Sequence, residues 1–189
     1  LEIERYYHFH CLNDKGFFKI LDEIGLKDQL KWKRTKMGFF YQGKLYKWGS
    51  LVSVIMFSKV SFLTRLRYLL HAARCLTIKD WNHLDNVIAV NWLRDWLGDE
   101  GYEKLWEKLF SYKFYQFSNH ISAAWIWSRI NRLGKSRKKL KENLGYLKNG
   151  SIQLIDQISQ IIKSKGGEIK ISSPIIKIKP SKKSGAHIY

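Results

Sequence analysis

His8-Phe9-His10-Cys11 sets two imidazoles and a thiol close to Asp14, all residue types that ligate metals. In an extended strand His8 and His10 share one face, which is the geometry a metal site uses. No second cluster completes four ligands, because His71, His83, His120 and His187 are scattered and Cys75 is the other cysteine. The expectation is aromatic-rich packing around these histidines and no metal. Signatures of nucleophilic and phosphate chemistry are missing too: there is no G-x-S-x-G, no H-E-x-x-H, no G-x-x-x-x-G-K-[ST] and no G-x-G-x-x-G. No general base is assignable.

Charge points to the kind of partner. The 189 residues carry 34 Lys and Arg against 16 Asp and Glu, a formal net charge of +18. From Gly134 to Tyr189 there are 13 basic and 3 acidic residues, so net +10 falls in that stretch. A basic excess favours anionic partners. No nucleic-acid recognition signature accompanies it, so no specific nucleic acid is expected. Peripheral contact with an anionic membrane stays compatible with the charge. No apolar run approaches the ~18 residues that span a bilayer, and Leu1 to His10 lacks the long apolar stretch of a signal peptide. Two cysteines exclude a disulfide-dense scaffold and suit a reducing compartment. The expected location is cytoplasmic, membrane-peripheral at most. The sequence opens on Leu1, mid-pattern, as a piece of something longer would.

Hydrophobic residues are 45% of the chain and aromatics 15%, ample for a core. Asn13 and Asp14 are N-cap types before a helix carrying Phe17, Phe18, Leu21 and Ile24, which Gly25 and Leu26 close. Met37 to Tyr41 and Leu45 to Trp48 flank Gln42-Gly43 and read as a hairpin. Ser61 caps a helix whose apolar face is expected at Phe62, Leu66, Leu69, Leu70 and Ala73. A helix from about Ile88 to Leu97 stops at Gly98. Asp99 caps the next, with a stripe of Tyr102, Leu105, Trp106 and Leu109. Another, from about His120 to Leu133, is expected to end at Gly134. Gly134 to Glu142 reads as a charged, solvated connector. Leu144 to Leu147 is extended, Asn149-Gly150 a turn, and Ile152 to Ile162 a long amphipathic helix. Gly166-Gly167 ends that helix, and the alternation Ile169/Ile171 and Ile176/Ile178 predicts strands. Lys182 to Tyr189 reads as a polar tail.

The order of these segments resembles a known family. Glu4-Arg5-Tyr6-Tyr7-His8-Phe9, Asp22-Glu23-Ile24-Gly25-Leu26, Met37-Gly38-Phe39-Phe40 with Gly43-Lys44-Leu45-Tyr46, and Trp92-Leu93 with Trp96-Leu97-Gly98 come in turn. Ser122-Ala123-Ala124-Trp125-Ile126-Trp127, Leu144-Gly145-Tyr146-Leu147, and Gly166-Gly167-Glu168-Ile169 with Pro174-Ile175 come after them. In this order they resemble the middle of FAD-dependent oxidoreductases of the amine oxidase superfamily, in the protoporphyrinogen oxidase and phytoene desaturase-like branch. The resemblance covers nearly all of residues 1 to 179.

The resemblance implies an α+β, mainly α fold: a helical substrate domain with a small hairpin, plus a helix-strand piece of an FAD-binding α/β domain. By it, residues 1–11 connect from the FAD domain and 12–143 form the substrate domain. Residues 144–179 return to the FAD domain, and 180–189 are a polar tail. Ile175 corresponds to the position beside the adenine, where the family usually has Val. Gly150 corresponds to the second glycine of a family Gly-Gly whose first position is Asn149 here. Tyr146 and Gly150 are the expected substrate-side residues, and Tyr6, Tyr7 and Trp125 are further aromatics that could face the pocket. The implied chemistry is hydride transfer from a largely apolar organic substrate to FAD, with FAD held by the full-length parent and not by this stretch. The partner implied is the remainder of the FAD domain. Two other readings fit the composition: a sugar-ring mutase-like flavoenzyme, or a non-catalytic basic module for nucleic acid or anionic membrane.

Overall fold

The computed structural model describes residues 8–138, 141–181 and 185–188. The chain is α+β and mainly helical, as the resemblance implies. One end is a small α/β unit. Helix α1 (Lys15–Glu23) closes where expected: Gly25 takes φ +73°, and the Leu26 amide returns to the Leu21 carbonyl at 2.8 Å. Strand β1 (Leu30–Arg34) comes after a short 3₁₀ turn and leads into the hairpin β2 (Met37–Tyr41) and β3 (Lys44–Trp48). Gln42 and Gly43 both have positive φ, the geometry of a two-residue turn matched to strand twist. Next come α2 (Leu51–Ile55), α3 (Phe62–Thr77), α4 (Asn82–Asp85), α5 (Ala89–Leu105), α6 (Glu107–Phe114) and α7 (Ala123–Lys135). The chain then returns as β4 (Arg137–Lys138), β5 (Lys141–Leu147) and α8 (Ile152–Ser164), and ends in the pair β6 (Ile178–Ser181) and β7 (Gly185–Ile188). Strand β5 lies antiparallel between β1 and β4, with Leu30 opposite Leu147 and Arg34 opposite Asn143. Leu154 of α8 packs on the buried Leu21, Leu26 and Leu147.

The helical unit is built on α5, whose Ala89, Val90, Leu93 and Leu97 are buried with Tyr102, Phe110 and Ile126. Gly98, at φ +73°, breaks α5 into the two expected helices. Trp106 then leaves helical geometry (φ −125°), which shifts the phase of α6. Phe110 is buried in place of the expected Leu109, which is exposed.

Five expectations are corrected. Helix α3 starts at its Ser61 cap, but its buried side is Thr64, His71 and Cys75, and Phe62, Leu66 and Leu70 face out. Polar groups on that side find partners on α5 and α7. Glu100 accepts from the Thr64 hydroxyl at 2.7 Å, and Asn131 donates to the Cys75 carbonyl at 2.9 Å. Helix α7 runs past Gly134, whose missing side chain admits Leu76: a Cβ there would lie 2.5 Å from Leu76 Cδ2. The Gly134–Glu142 connector is structured in its described part, with Ser136 fully buried and bonded to the Leu12 amide and the Asn143 carbonyl; residues 139–140 lie outside the described residues. Ile169 and Ile171 form no strand. No described strand runs beside residues 167–177, so their alternation has no sheet to bury itself in, and they are irregular and exposed. Pairing begins at Ile178, and residues 185–188 of the expected polar tail supply its partner.

Candidate substrate cavity

The hairpin has apolar residues on both faces. On the inner face Phe39, Tyr41, Tyr46 and Trp48 surround Phe57, with ring centroids 5.2 to 6.1 Å away and near-perpendicular planes. Edge-to-face contact of this kind fixes ring orientation as well as burying area. Beside this cluster, between the hairpin, α2 and the start of β5, lies a cavity of about 710 Å³. Met37, Tyr46, Trp48, Val52, Met56 and Phe57 supply its apolar lining. Arg34, Lys36, Lys47 and Glu142 supply its charges, three positive and one negative. Glu142 is nearly buried and accepts from the Thr35 hydroxyl at 2.5 Å, which fixes its orientation.

A smaller cavity of about 140 Å³ adjoins, sharing Met37, Trp48, Gly49, Ser50 and Glu142 with the first. Tyr68 lines it, and burial pushes its phenol up to about 12 despite the opposing Arg137 charge. Tyr68 is therefore a neutral hydrogen-bonding group at physiological pH. Arg137 donates to the Gly49 carbonyl at 3.1 Å and so ties β4 to the end of the hairpin. The combination suits a mainly apolar organic molecule with polar groups at its edge.

The expected site residues lie elsewhere. Tyr146 shares a strand face with Glu142 but sits four residues further along β5, about 13 Å at ordinary strand rise. Gly150, at φ +77°, forms the turn that carries β5 into α8, so the fold brings Tyr146 and Gly150 to one junction. Ile175 is 61% exposed on the irregular stretch beyond α8, apart from that junction in the chain. Trp125 stacks edge-on against Phe114 at 4.9 Å and lies under Arg129, on the helical unit. Tyr6 and Tyr7 lie outside the described residues. The cavity residues Trp48, Phe57 and Glu142 were not expected. The available signal was a hairpin apolar on both faces, which burial of one face cannot explain.

The His8–Cys11 segment is a structural seam. His10 stacks on Phe17 at 3.8 Å and pairs through its backbone with Gly145, while Cys11 is fully buried. Asp14 sits at the N-cap of α1 but does not cap it. It accepts from the Cys11 amide at 2.8 Å and takes a two-pronged bond from Arg132 of α7 at 2.7 and 3.0 Å. Burial opposes ionisation of Asp14, but the Arg132 and Cys11 hydrogen bonds outweigh it and hold the carboxyl below its usual range. Among the described residues no three His, Cys, Asp or Glu side chains converge as metal ligands.

Whether these residues fit a flavin dinucleotide can be tested on the glycine turns. A pyrophosphate cradle needs closely spaced glycines opening a helix after a strand. The strand-to-helix turn at Asn149-Gly150 offers one glycine there, and no G-x-G-x-x-G occurs anywhere in the sequence. Among the described residues, that turn is a single-glycine turn and not such a cradle. No helix among the described residues is long and apolar enough to cross a membrane.

The fold is a mainly helical unit set on a small sheet, with an aromatic-lined cavity beside the hairpin. Residues 7–188 match the model of the flavin containing amine oxidoreductase family, and the chain belongs to that family. Among solved structures it resembles one described as a "Putative protoporphyrinogen oxidase" from Exiguobacterium sp. 255-15. The identity is 16% and the TM-score 0.54, over 98% of this chain and 46% of that one. The chain thus spans about half the length of that protein. No curated protein matches it.

Proposed function

We propose that this chain forms the substrate side of a flavin-dependent oxidoreductase, holding a largely apolar organic substrate in the cavity between the hairpin and α2. In this reading FAD belongs chiefly to the remainder of the FAD domain, and when bound it accepts a hydride from a substrate C–H bond. The carrying observation is the 710 Å³ aromatic cavity, with its charges confined to Arg34, Lys36, Lys47 and Glu142. Phe57, clasped by four rings, is a rigid wall that excludes water. Glu142, held by Thr35, is placed to accept a hydrogen bond from a polar edge of the ligand. Tyr146 and Gly150 are proposed to shape the substrate side from the far end of β5, and Ile175 to meet the adenine through its backbone. Membership of the flavin family supports the chemistry, and the cavity supports the class of substrate.

Protoporphyrinogen, named in the description of the similar bacterial protein, is the first probe: it is a bulky apolar macrocycle with carboxylates that suit the three cations. Anaerobic loss of flavin colour in the intact flavoprotein reads its oxidation. Val52→Gln and Met56→Gln change exposed cavity residues and leave the fold standing. Each should raise half-saturation about tenfold, the effect of exchanging an apolar contact for a polar one, at unchanged flavin content. Half-saturation equal to that of the unmodified protein in both variants would refute the assignment of the cavity.

A further inference from the structure

Behind the substrate cavity lies the smaller one of about 140 Å³, and the two meet at a wall of Met37, Trp48, Gly49, Ser50 and Glu142. Beyond that wall the lining is apolar, from Val54 of α2, Leu69 and Ala72 of α3, and Ile130 and Leu133 of α7. An apolar cavity of about 150 Å³ admits benzene, so this space suits a group of about six non-hydrogen atoms. Its polar groups are mostly committed. The Ser50 hydroxyl is bonded to Ser53 in the capping box of α2, and Arg137 donates to the Gly49 carbonyl. Arg137 and Glu142 stand opposite each other across the β4–β5 pair, so together they bring no net charge. Tyr68 is the exception. Its ring meets Trp48 edge-on at 5.7 Å, and the Trp48 side chain approaches the phenol oxygen as a donor, since an indole has no acceptor to offer. Among the described residues nothing accepts the Tyr68 hydroxyl proton.

We propose that this smaller cavity is a specificity pocket for one short, uncharged arm of the substrate ending in a carbonyl oxygen, with Tyr68 as the donor that selects it. The proposal rests on the substrate reading of the larger cavity and adds the chemistry of one substituent. The apolar walls of α2, α3 and α7 receive the carbon atoms of the arm, and the Tyr68 hydroxyl donates to its oxygen. A carbonyl is favoured over an amine, because the unused group is a donor and Trp48 already supplies the Tyr68 oxygen with a partner. A carboxylate is disfavoured, because entry carries it past Glu142, whose charge Arg137 offsets and does not exceed. A purely hydrocarbon arm would cover the hydroxyl and leave it without a partner, and an unpaired buried donor costs more than one such bond gains. Tyr68 thereby discriminates between arms of equal size. Burial pushes its phenol up to about 12, so the donor is present at every physiological pH.

Met37 and Met56 make the test direct, because Met37 borders both cavities and Met56 the larger alone. The intact flavoprotein is prepared with isotope-labelled methionine methyl groups for NMR, and Met37→Leu and Met56→Leu identify the two signals. Methyl propyl ketone, a carbonyl on a short chain, is the probe, and butyrate is its charged counterpart. The ketone should move the Met37 signal and leave Met56 in place, and butyrate should move neither. Tyr68→Phe should weaken ketone binding about fivefold, the usual effect of one neutral hydrogen bond. Ala72→Leu, which fills the pocket, should abolish it. The two variants act by different routes, loss of a donor and loss of space, so a folding fault in one does not hide the answer. A ketone that fails to move Met37, that moves Met56 as well, or that Tyr68→Phe binds as tightly as before would overturn the proposal. Butyrate binding tighter than the ketone would make this a carboxylate site and overturn it too. The substrate reading is judged separately: a ketone that binds here as expected, with Val52→Gln and Met56→Gln unaltered in half-saturation, would refute that reading alone.

Discussion

His71 makes the stability of this fold depend on pH in a narrow window. The side chain is 1% exposed on α3, with Trp92 edge-on at 4.5 Å and Trp96 at 5.5 Å. Its Nε2 lies 3.7 Å from Cys75 Sγ, and among the described residues its Nδ1 has no hydrogen-bond partner. Burial pushes its pKa down to about 4, from an unfolded value of 6.5. Protonation therefore favours the unfolded chain. As pH falls below 6.5 the unfolded state takes up a proton that the folded state refuses until about pH 4, and stability drops across that interval. Integrating the linkage between pH 7 and pH 5 gives a loss of about 2 kcal/mol. Glu100 is held down to about 2 by hydrogen bonds from Thr64, Lys104 and Ser61, and in the unfolded chain it takes up a proton only near its ordinary value of 4.5, so it adds little between pH 7 and pH 5. Urea denaturation at the two pH values, on the unmodified protein and on His71→Leu, isolates the effect. Leu matches the apolar surroundings and has no proton to take up, so the variant should lose at least 1 kcal/mol less than the unmodified protein. An equal loss in both would show that His71 is not the group responsible.

Two glycines on helices should respond in opposite directions. A Cβ on Gly101 would lie 2.6 Å from Leu97 Cβ and 3.1 Å from Thr64 Cγ2, so Gly101→Ala should cost about 1–2 kcal/mol through overpacking. Gly16 on α1 has nothing within 4 Å, and Gly16→Ala should gain up to about 0.5 kcal/mol, both measured by denaturant midpoints. Asp14→Asn removes the charged partner of Arg132 and should lower stability at pH 7 by about 1–3 kcal/mol. Because the Asp14 pKa is depressed, that contribution is present above the ordinary carboxyl range and fades as pH falls below it, so the two proteins should converge in acid.

What could be read directly from the sequence was whatever short-range geometry dictates. Gly25 with Leu26, Gln42-Gly43 and Ser61 each act within a few residues, and each does in the fold what its type predicts. The phase of α3 was not readable in that way. Counting apolar residues selects Phe62, Leu66 and Leu70, yet the inward positions are Thr64, His71 and Cys75. Thr64 and Cys75 find their polar partners 36 and 56 positions later in the chain. Nor could the cavity be seen, since Glu142 reaches the hairpin only because β5 pairs with β1 more than a hundred residues upstream.

The same reasoning bears on Ile175, which the resemblance sets beside the adenine and which here lies exposed on an irregular stretch. A strand in a parallel sheet is specified less by its own alternation than by neighbours that satisfy its amides and cover its faces. Ile169, Ile171, Ile176 and Ile178 have the right residue type, and from Ile178 onward the backbone does pair, with residues 185–188. Before that point there is no neighbour among the described residues, and the isoleucines are left in solvent. A stretch so apolar and so exposed is a strand in want of a sheet. We propose that the remainder of the FAD domain supplies one. Adding that domain should therefore order residues 169–177 and slow their amide exchange, and Ile176→Lys should weaken the association while leaving the helical unit as stable as before. Exchange as fast with the domain present as without it would refute the view that this stretch is the junction.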